Sequence, residues 1–286
     1  MFRDRRKLIP WYFALPGLLW LLVFFLLPLV NQVGVSVMSG DPEAGYDLTW
    51  SFSNYSDAID QYWPQIERSL VYAFAATVID LAIAFPLAYF IAFKAGRWKG
   101  FLLLMVVLPF FMSQVLRTVS WQLILTDNGW VVSQLKGIGI VGDEGRVLAT
   151  SWAVIGGIAY NYLPFMVLPL YASLDRLDRR LIEAATDLYA SRPTAFRKVT
   201  IPLATPGIFA GSLLCFIPAT GDFVNAALLG SSKQYMIGNV IQTNFLTVLD
   251  YPTAAALSFF LIGLILVGIS IYSALLGTKN LTEVAG

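Results

Sequence analysis

Long apolar stretches recur along the chain and constrain its fold more than any other feature. A transmembrane α-helix needs about 20 consecutive, predominantly apolar residues. Six stretches meet that length, at about 11–38, 70–93, 101–126, 148–173, 205–229 and 253–277. We therefore predict an all-α integral membrane protein with about six transmembrane helices, organised as a single transmembrane domain over residues 1–286.

Composition agrees with a membrane environment and excludes several kinds of catalytic site. Asp, Glu, Lys and Arg make up 13% of the residues, whereas soluble domains carry roughly 25%. The chain has no histidine and one cysteine, Cys215, which lies in an apolar stretch where we expect inert packing. A histidine- or thiolate-based metal site is therefore not expected, and a Ser-His-Asp or Cys-His mechanism is excluded.

Basic residues in the loops indicate which side of the membrane each loop faces. Cytoplasmic loops carry an excess of Lys and Arg. Most of the 19 basic residues, among them Arg3, Arg197 and Lys279, fall in segments that alternating spans place on one side. We therefore predict that both termini are cytoplasmic.

The loops predicted on the outer side differ in character. The first, at about 39–69, carries six acidic residues against Arg68 alone. We interpret it as a solvated surface, and the alternative is a docking face for a partner or a field that gathers a cationic solute. The loops at 127–147 and 230–252 are predicted to hold short helices near the membrane surface.

The longest cytoplasmic segment, at about 174–204, is too charged to span the membrane. Its length suits two short amphipathic helices that divide near 189–191, with Ser191 as the N-cap of the second and Pro193 in its first turn. Pro202 and Pro206 are expected to end the segment. Four apolar residues share one face of the first helix: Leu181, Ala184, Ala185 and Leu188. An ordinary interfacial helix between two spans would show the same periodicity.

This segment resembles the cytoplasmic signature of type I ABC importer permeases. That signature runs Glu-Ala-Ala, three residues, Gly, nine residues, Ile, one residue, Leu-Pro. The same spacing occurs here as Glu183-Ala184-Ala185, Tyr189, Val199 and Ile201-Pro202. Tyr189 departs from the glycine of the family, and because tyrosine does not easily adopt a left-handed turn, the departure puts the geometry of the bend in doubt.

The resemblance implies that 174–204 is a coupling loop seated in a groove on a separate ATPase subunit. Small alanine side chains permit close backbone approach, and the two acidic side chains can pair with basic groups of the partner. The implied contact residues are Glu183, Ala184, Ala185, Asp187, Tyr189 and Pro202. The chain has no GxxxxGK[ST] phosphate loop, so ATP and Mg are expected on the partner ATPase. This chain is expected to bind no cofactor and to be non-catalytic.

Two further stretches, 108–130 and 221–245, resemble the first permease of spermidine/putrescine importers. The likeness is carried by Arg117, Thr118, Trp121, Gly221, Phe223, Ala227, Leu228, Leu229, Gly230, Ile237, Gly238 and Asn239. Permeases for iron, opines, aminoethylphosphonate and thiamine share parts of the pattern, so these solutes stay as alternatives to a polyamine. The resemblance implies a bacterial inner membrane, a second homologous permease, a dimer of ATPase subunits and an extracytoplasmic solute-binding protein.

Three ionisable residues, Asp80, Arg117 and Asp222, lie within the predicted spans. A charge inside a membrane is costly and is a functional hypothesis by default. Asp222, together with the aromatic faces of Trp121 and Tyr160, could pass a polyamine cation. The alternative is that Asp222 pairs with Arg117 to hold two helices together. For Asp80 the alternative is a hydrogen bond across a helix interface.

Two other classes of protein compete with an ATP-driven importer. An ion-coupled secondary transporter would be supported by inverted repeats and broken helices in both halves, and the sequence shows no such symmetry. A membrane-embedded enzyme is disfavoured because the spans contain neither histidine nor clustered carboxylates. No nucleic-acid partner is expected.

Overall fold

The computed structural model describes residues 5–139, 142 and 145–276, most of them helical. The α-helices, numbered in chain order, are α1 (Arg5–Leu21), α2 (Leu27–Ser36), α3 (Ser53–Phe93), α4 (Lys99–Val107), α5 (Gln114–Ile124), α6 (Trp130–Gly137), α7 (Ser151–Asp175), α8 (Arg179–Asp187), α9 (Arg192–Ala195), α10 (Ile201–Thr220), α11 (Val224–Leu229), α12 (Ile237–Thr243) and α13 (Tyr251–Leu276). π-helical turns lie at Leu22–Leu26, Phe196–Thr200 and Asn244–Val248, and 3₁₀ turns at Gly96–Trp98, Leu108–Phe111 and Ser232–Gln234. Two strands, β1 (Met38–Asp41) and β2 (Gly45–Leu48), complete the set within the described ranges.

Five candidate membrane spans follow from these elements, and six if a bent pair is one span, which confirms the helical fold class and agrees with about six spans. Five are single apolar segments, and the sixth is a bent pair, counted over the described residues. They are Tyr12–Ser36, Ser53–Phe93, the pair Gly96–Phe111 and Gln114–Ile124, Ser151–Asp175, Arg192–Thr220 and Tyr251–Ala274. The predicted end of the last span, residue 277, lies outside the described residues, as do Arg3 and Lys279, on which the orientation argument draws.

The second predicted span, 70–93, begins too late. Its helix, α3, already starts at Ser53 and is 41 residues long. Tyr62 has φ −111° and ψ 15° and so interrupts the helical geometry shortly before Pro64. A polar helical segment therefore precedes the apolar part that the sequence predicted.

The third predicted span, 101–126, is wrong as a single helix. After α4 the chain forms the 3₁₀ turn around Pro109, which cannot donate to an i→i−4 hydrogen bond. Met112 is then extended, with ψ 148°, and α5 begins at Gln114. The two halves are bent by 92°.

The fifth predicted span, 205–229, is displaced along the chain. The continuous helix runs over Arg192–Thr220, so it includes the second half of the predicted coupling loop and excludes α11. Pro202 does not end the preceding segment. The helix continues past it, because the π turn at Phe196–Thr200 leads directly into α10. In that turn the Ile201 N–H donates to the Phe196 carbonyl, and this wider turn accommodates the proline ring.

The first loop predicted on the outer side contains a β-hairpin that the sequence did not predict. It belongs to a compact unit formed by the residues up to Tyr62 together with Ile241–Gly263. β1 and β2 are antiparallel, with Met38 opposite Leu48 and Asp41 opposite Gly45. The Asn54 side-chain amide donates to the carbonyls of Ser36 (3.0 Å) and Met38 (2.7 Å) and so ties the start of α3 to the hairpin.

The second compact unit comprises Trp63–Val240 and the residues from Leu264, and its core lies along α7 and α10. Two glycines four residues apart let these helices approach closely. A Cβ at Gly207 would lie 2.7 Å from the Pro169 carbonyl oxygen, and one at Gly211 would lie 2.7 Å from the Met166 sulfur. A larger residue at Gly207 would therefore push the two helices apart.

The two short helices predicted in the outer loops are present. In the loop at 127–147, α6 covers Trp130–Gly137, and in the loop at 230–252, α12 covers Ile237–Thr243. Residues 140–141 and 143–144 of the first of these loops lie outside the described residues.

Candidate functional site

A buried polar network in the second unit surrounds the Asp222 carboxylate. Its Oδ2 accepts hydrogen bonds from Gln114 Nε2 (3.0 Å), Tyr162 OH (3.3 Å) and Asn225 Nδ2 (2.8 Å). Its Oδ1 accepts from the backbone N–H of Asn225 at 2.8 Å and so caps the first turn of α11. Asp222 is 4% exposed. Four donors converge on this carboxylate, and an ionised carboxylate satisfies all of them.

A second set of amide and hydroxyl groups extends the network. Asn225 Oδ1 accepts from Asn161 Nδ2 (3.0 Å) and from Thr118 Oγ1 (3.1 Å). Asn161 Nδ2 also approaches Thr118 Oγ1 at 3.3 Å. Asn161, Thr118 and Asn225 are all buried. The network therefore joins α5, α7 and the α10–α11 break through side chains alone.

The network forms where one membrane span is bent and another ends. Gln114 is the first residue of α5, directly after the 92° bend, and Asp222 lies between the end of α10 and the start of α11. On α5, Gln114 and Thr118 are four residues apart and so share a face. Interruptions inside a membrane are tolerated where protein satisfies the freed backbone groups.

A second turn of the chain packs onto the α10–α11 break. A Cβ at Gly238 would lie 2.3 Å from the Gly221 carbonyl oxygen, so the backbones meet at a distance that only glycine allows. Asn239 Nδ2 donates to the Phe223 carbonyl at 2.8 Å, and its Oδ1 accepts from the Met236 N–H at 3.0 Å. Three residues that carried the sequence likeness, Gly221, Gly238 and Asn239, therefore build this turn.

Arg117 does not pair with Asp222 in the described part of the chain. The ion pairs found there are Lys99–Asp175 (2.5 Å) and Arg146–Asp127 (3.2 Å). Arg117 is 7% exposed, and no acceptor among the described residues bonds to its Nε or Nη1. Asp222 therefore accepts hydrogen bonds from neutral donors instead of forming the ion pair with Arg117 that was the alternative.

The structure brings Trp121 and Tyr160 together, as a path of aromatic faces requires. Their ring centroids are 5.3 Å apart with an interplanar angle of 69°, an edge-to-face contact. Both side chains are partly exposed, whereas Asp222, Asn225, Asn161 and Thr118 of the polar network are buried. Their role in transport stays a prediction.

Asp80 lies apart from the Asp222 network, next to the Cys215 thiol. It is 1% exposed, and neither carboxylate oxygen has a hydrogen-bond partner by distance and angle among the described residues. The Cys215 thiol itself donates to the Tyr162 carbonyl at 3.3 Å. Cys215 is buried in the core between α7 and α10, as expected of an inert packing residue.

Sequence reasoning missed four of the six network residues. Gln114, Asn161, Tyr162 and Asn225 were not singled out, although each is a polar residue within or beside an apolar segment. That signal was available, because a polar side chain inside a span usually faces another helix or a wet cavity.

The segment predicted to be cytoplasmic, 174–204, has the predicted two-part form. α8 covers Arg179–Asp187, and Ser191 occupies the N-cap position before α9, with Pro193 in the first turn. The Ser191 hydroxyl contacts the Thr194 hydroxyl at 2.8 Å rather than a backbone N–H. The predicted apolar face is not buried, because Leu181, Ala184 and Leu188 are exposed while Ala185 is half-buried.

Tyr189 makes the left-handed bend that its side chain was expected to oppose. Its φ is +61°. The Tyr189 N–H donates to the Thr186 carbonyl and the Ala190 N–H to the Ala185 carbonyl, each at 3.0 Å. These two bonds form a complete Schellman motif, which usually has glycine at this position. A left-handed conformation costs an L-residue about 1–2 kcal/mol. The chain forms the bend despite this cost, although tyrosine replaces the glycine of the family.

Comparison with solved structures shows which known fold the chain adopts. A subunit of a bacterial ABC transporter that imports the acidic polysaccharide alginate matches with a TM-score of 0.73 and 19% identity, over 96% of this chain and 97% of that one. A second structure of an alginate ABC transporter, in complex with alginate pentasaccharide-bound periplasmic protein, matches with a TM-score of 0.70 and 18% identity, over 99% and 98%.

Sequence comparison adds closer relatives and the family. The spermidine/putrescine transport system permease protein PotB of Escherichia coli K12 is 36% identical over 84% of this chain and 87% of its own length. PotB of Haemophilus influenzae is 37% identical over 90% and 87%. The inner membrane ABC transporter permease protein YdcU of E. coli K12 is 35% identical over 71% and 68%. The family model for the binding-protein-dependent transport system inner membrane component matches residues 13–276. This chain is therefore a multi-pass inner-membrane protein that belongs to the family of binding-protein-dependent transport system inner membrane components.

Proposed function

We propose that this chain is the permease subunit of an ATP-driven importer of polyamines such as spermidine and putrescine. The observation that carries the proposal is the identity of 36–37% with PotB proteins over most of the chain. The substrates are flexible, multivalent cations. Carboxylates and aromatic faces are the groups that bind such cations.

The importer would be a complex of several chains. We place a second, homologous permease beside this one, two ATPase subunits on the cytoplasmic side and a solute-binding protein outside. The alginate transporter, solved with its periplasmic protein, supports this arrangement. The side chains of residues 12–28 are all exposed, so the first span is free to contact lipid or the second permease. The excess of basic residues in alternate loops supports cytoplasmic termini.

ATP and Mg would be held by the ATPase subunits, and this chain would carry neither. Its contribution would be to couple closure of the ATPase pair to the opening of a path. α8 presents Glu183, Ala184 and Asp187 as exposed residues for that contact. Pro202 lies in the first turn of α10. There it would fix the backbone at the start of the membrane span and would not contact the ATPase.

A single helix connects the coupling segment to the polar network. Arg192–Thr220 has 29 residues, and a rise of 1.5 Å per residue gives it a length of roughly 44 Å. Its start follows α8 and the Tyr189 bend, and its end is followed directly by Gly221 and Asp222. Displacement of α8 by an ATPase would therefore reach the break between α10 and α11.

The predicted path residues divide into two kinds. Trp121 and Tyr160 are partly exposed, so we assign them contact with the polyamine. Asp222 is buried and fully bonded, so we assign it a fixed negative charge near the path. The Asp80 carboxylate oxygens and Arg117 Nε and Nη1 have no hydrogen-bond partner among the described residues, and we assign these groups contacts made only in the assembled or moving complex.

ATP-dependent uptake tests this proposal directly. The chain, its cognate permease, ATPase and binding protein would be reconstituted in proteoliposomes and supplied with radiolabelled spermidine or putrescine. Uptake is expected only with ATP inside the compartment that the ATPase faces, and a protonophore should not abolish it. Uptake of aminoethylphosphonate, iron, thiamine or an opine without polyamine uptake would assign the chain another solute. ATP-independent, protonophore-sensitive uptake would reject the ATP-driven class.

A further inference from the structure

A groove of about 530 Å³ lies between the end of α7, the start of α8 and the first half of α10. Its floor is apolar and includes Pro169 on α7 and Leu203 and Pro206 on α10. Arg176 and Asp178 line its mouth, where α7 has just ended. From Pro169 to Arg176 the groove follows α7 for roughly 10 Å, at 1.5 Å per residue. It is therefore an apolar trough that ends in charged groups.

The groove lies on the side of α7 away from the ring that we assign to the solute path. Pro169 follows Tyr160 by nine residues, which is about two and a half turns of an α-helix, so the two residues lie on opposite faces. Gly207 is buried against the Pro169 carbonyl and closes the floor between the two helices. A solute that contacts Tyr160 would therefore not reach the groove through this seam.

Basic side chains outnumber acidic ones in the segment that surrounds the mouth of the groove. Among the described side chains from 175 to 198, five basic ones are exposed: Arg176, Arg180, Arg192, Arg197 and Lys198. The exposed acidic ones are Asp175, Asp178, Glu183 and Asp187. Asp175 is ion-paired with Lys99, and Asp178 Oδ1 accepts the Arg180 backbone N–H at 2.9 Å as the cap of α8. With Asp175 neutralised, five cations face three carboxylates, and the mouth favours an anion.

We infer that this groove binds an anionic phospholipid, with an acyl chain along the apolar floor and the headgroup phosphate on Arg176. Arg176 directly follows the membrane span Ser151–Asp175, where a long basic side chain reaches the headgroups of the leaflet. Guanidinium groups bind phosphate oxygens through charge-assisted hydrogen bonds, and basic pockets between membrane helices bind anionic headgroups. The inference requires only that α7 and α10 span the membrane, whichever solute the importer carries.

The second permease is the other candidate occupant of the groove. An apolar surface of that chain would cover Leu203 and Pro206 but would leave the Arg176 charge without a counterion. A phospholipid matches both the apolar floor and the cationic mouth, so we favour it.

Lipid titration of the assembled importer tests this inference. The complex would be purified in detergent, stripped of lipid and titrated with palmitoyl-oleoyl phosphatidylglycerol or phosphatidylcholine, with bound lipid counted by native mass spectrometry. The phosphatidylglycerol is expected to bind about 5-fold more tightly, since one arginine near the surface contributes about 1 kcal/mol. Arg176→Gln should remove that preference. Arg192→Gln is the matched control, because it removes an exposed cation of the same segment that does not line the groove.

A second variant tests the floor of the groove. Ala210→Phe would fill it and is expected to weaken binding of both lipids. If that variant lowers the yield of the complex, Ala172→Phe takes its place, because Ala172 lines the same groove and is exposed.

Four results would overturn the inference. A phosphatidylglycerol preference that survives Arg176→Gln would remove Arg176 from the site. An equal loss of preference in Arg192→Gln would mean that diffuse surface charge attracts the lipid. Displacement of the lipid by excess inorganic phosphate would assign the mouth to a soluble anion. Disulfide cross-linking of Leu203→Cys to the second permease, in a Cys215→Ala background, would place protein in the groove. Polyamine uptake is not part of this assay, so failure of the proposed function would leave its result unchanged.

Discussion

Replacing Asp222 with asparagine is expected to destabilise this protein, because an amide cannot satisfy the donors that meet the carboxylate. Oδ1 accepts one backbone N–H from Asn225, and Oδ2 accepts three side-chain donors. Two of those donors, on Gln114 and Tyr162, can reorient to accept. The Asn225 amide cannot, because its oxygen already accepts from Asn161 and Thr118.

In either orientation, the asparagine side chain that replaces Asp222 points its NH₂ group at an N–H donor of Asn225. With its oxygen toward the Asn225 backbone, the new NH₂ meets Asn225 Nδ2. With its oxygen toward Asn225 Nδ2, the NH₂ meets the backbone N–H and the α11 cap is lost. Leaving one buried donor unsatisfied costs about 1–3 kcal/mol. We expect a loss of that size in the free energy of unfolding.

Unfolding by sodium dodecyl sulfate in bicelles, followed by circular dichroism, measures this loss. Asp175→Asn is the matched control. It makes the same substitution at a carboxylate that is 37% exposed and ion-paired with Lys99, where a loss of at most about 1 kcal/mol is expected. Equal stability of Asp222→Asn and wild type would refute the argument. So would recovery of stability on adding Arg117→Gln, since recovery would mean that Asp222 and Arg117 neutralise each other.

Three further substitutions test other parts of the structure. Asp80→Asn is expected to keep or raise stability, because neither Asp80 oxygen has a bonded partner and a neutral amide removes the cost of a buried charge; the same unfolding assay measures it. Gly207→Val should abolish folding, since its first added carbon would lie 2.6 Å from a side-chain carbon of α7; detergent-soluble yield reports this. In a Cys215→Ala background, Gly45→Cys should react with an impermeant thiol reagent from outside and Arg192→Cys only after the membrane is opened.

Controls and contradicting results follow from the same structure. Gly156→Val is the control for Gly207→Val, because a Cβ at Gly156 meets nothing within 4 Å; equal yields would reject close packing of α7 and α10. A fall in stability of Asp80→Asn like that of Asp222→Asn would mean that Asp80 has a partner. External labelling at position 192 would reverse the orientation and remove the ATPase from α8.

The number of spans could be predicted from the sequence, but the breaks within them could not. Hydrophobicity over a window of about 20 residues registers apolar length and does not register a bend. Proline was no guide either, because Pro164 and Pro218 lie inside continuous helices while Pro109 lies at the 92° bend. The difference depends on whether neighbouring groups or a π turn accommodate the proline, which is a property of the packed structure.

The candidate site shows the same division between local and tertiary information. The two-part cytoplasmic segment was predictable because caps, proline and spacing act within a few residues of each other. The partners of Asp222 lie up to 108 residues away in the chain. From the sequence alone, opposite charge made Arg117 the natural partner, yet amide and hydroxyl donors occupy both carboxylate oxygens.

The packing of α10 against α7 indicates how movement would pass through this chain. Gly207 and Gly211 place α10 in close contact with α7, and we expect helices packed this tightly to shift together. α7 carries Asn161 and Tyr162, and α10 leads into Asp222, so a push on α10 carries the donors and their acceptor together. The bonds from Tyr162 and Asn161 to Asp222 and Asn225 would therefore persist as the block moves, whereas the bonds from Gln114 and Thr118 on α5 cross its edge. Access for a solute must then change at the edges of the block, where the Trp121–Tyr160 ring contact joins α5 to α7.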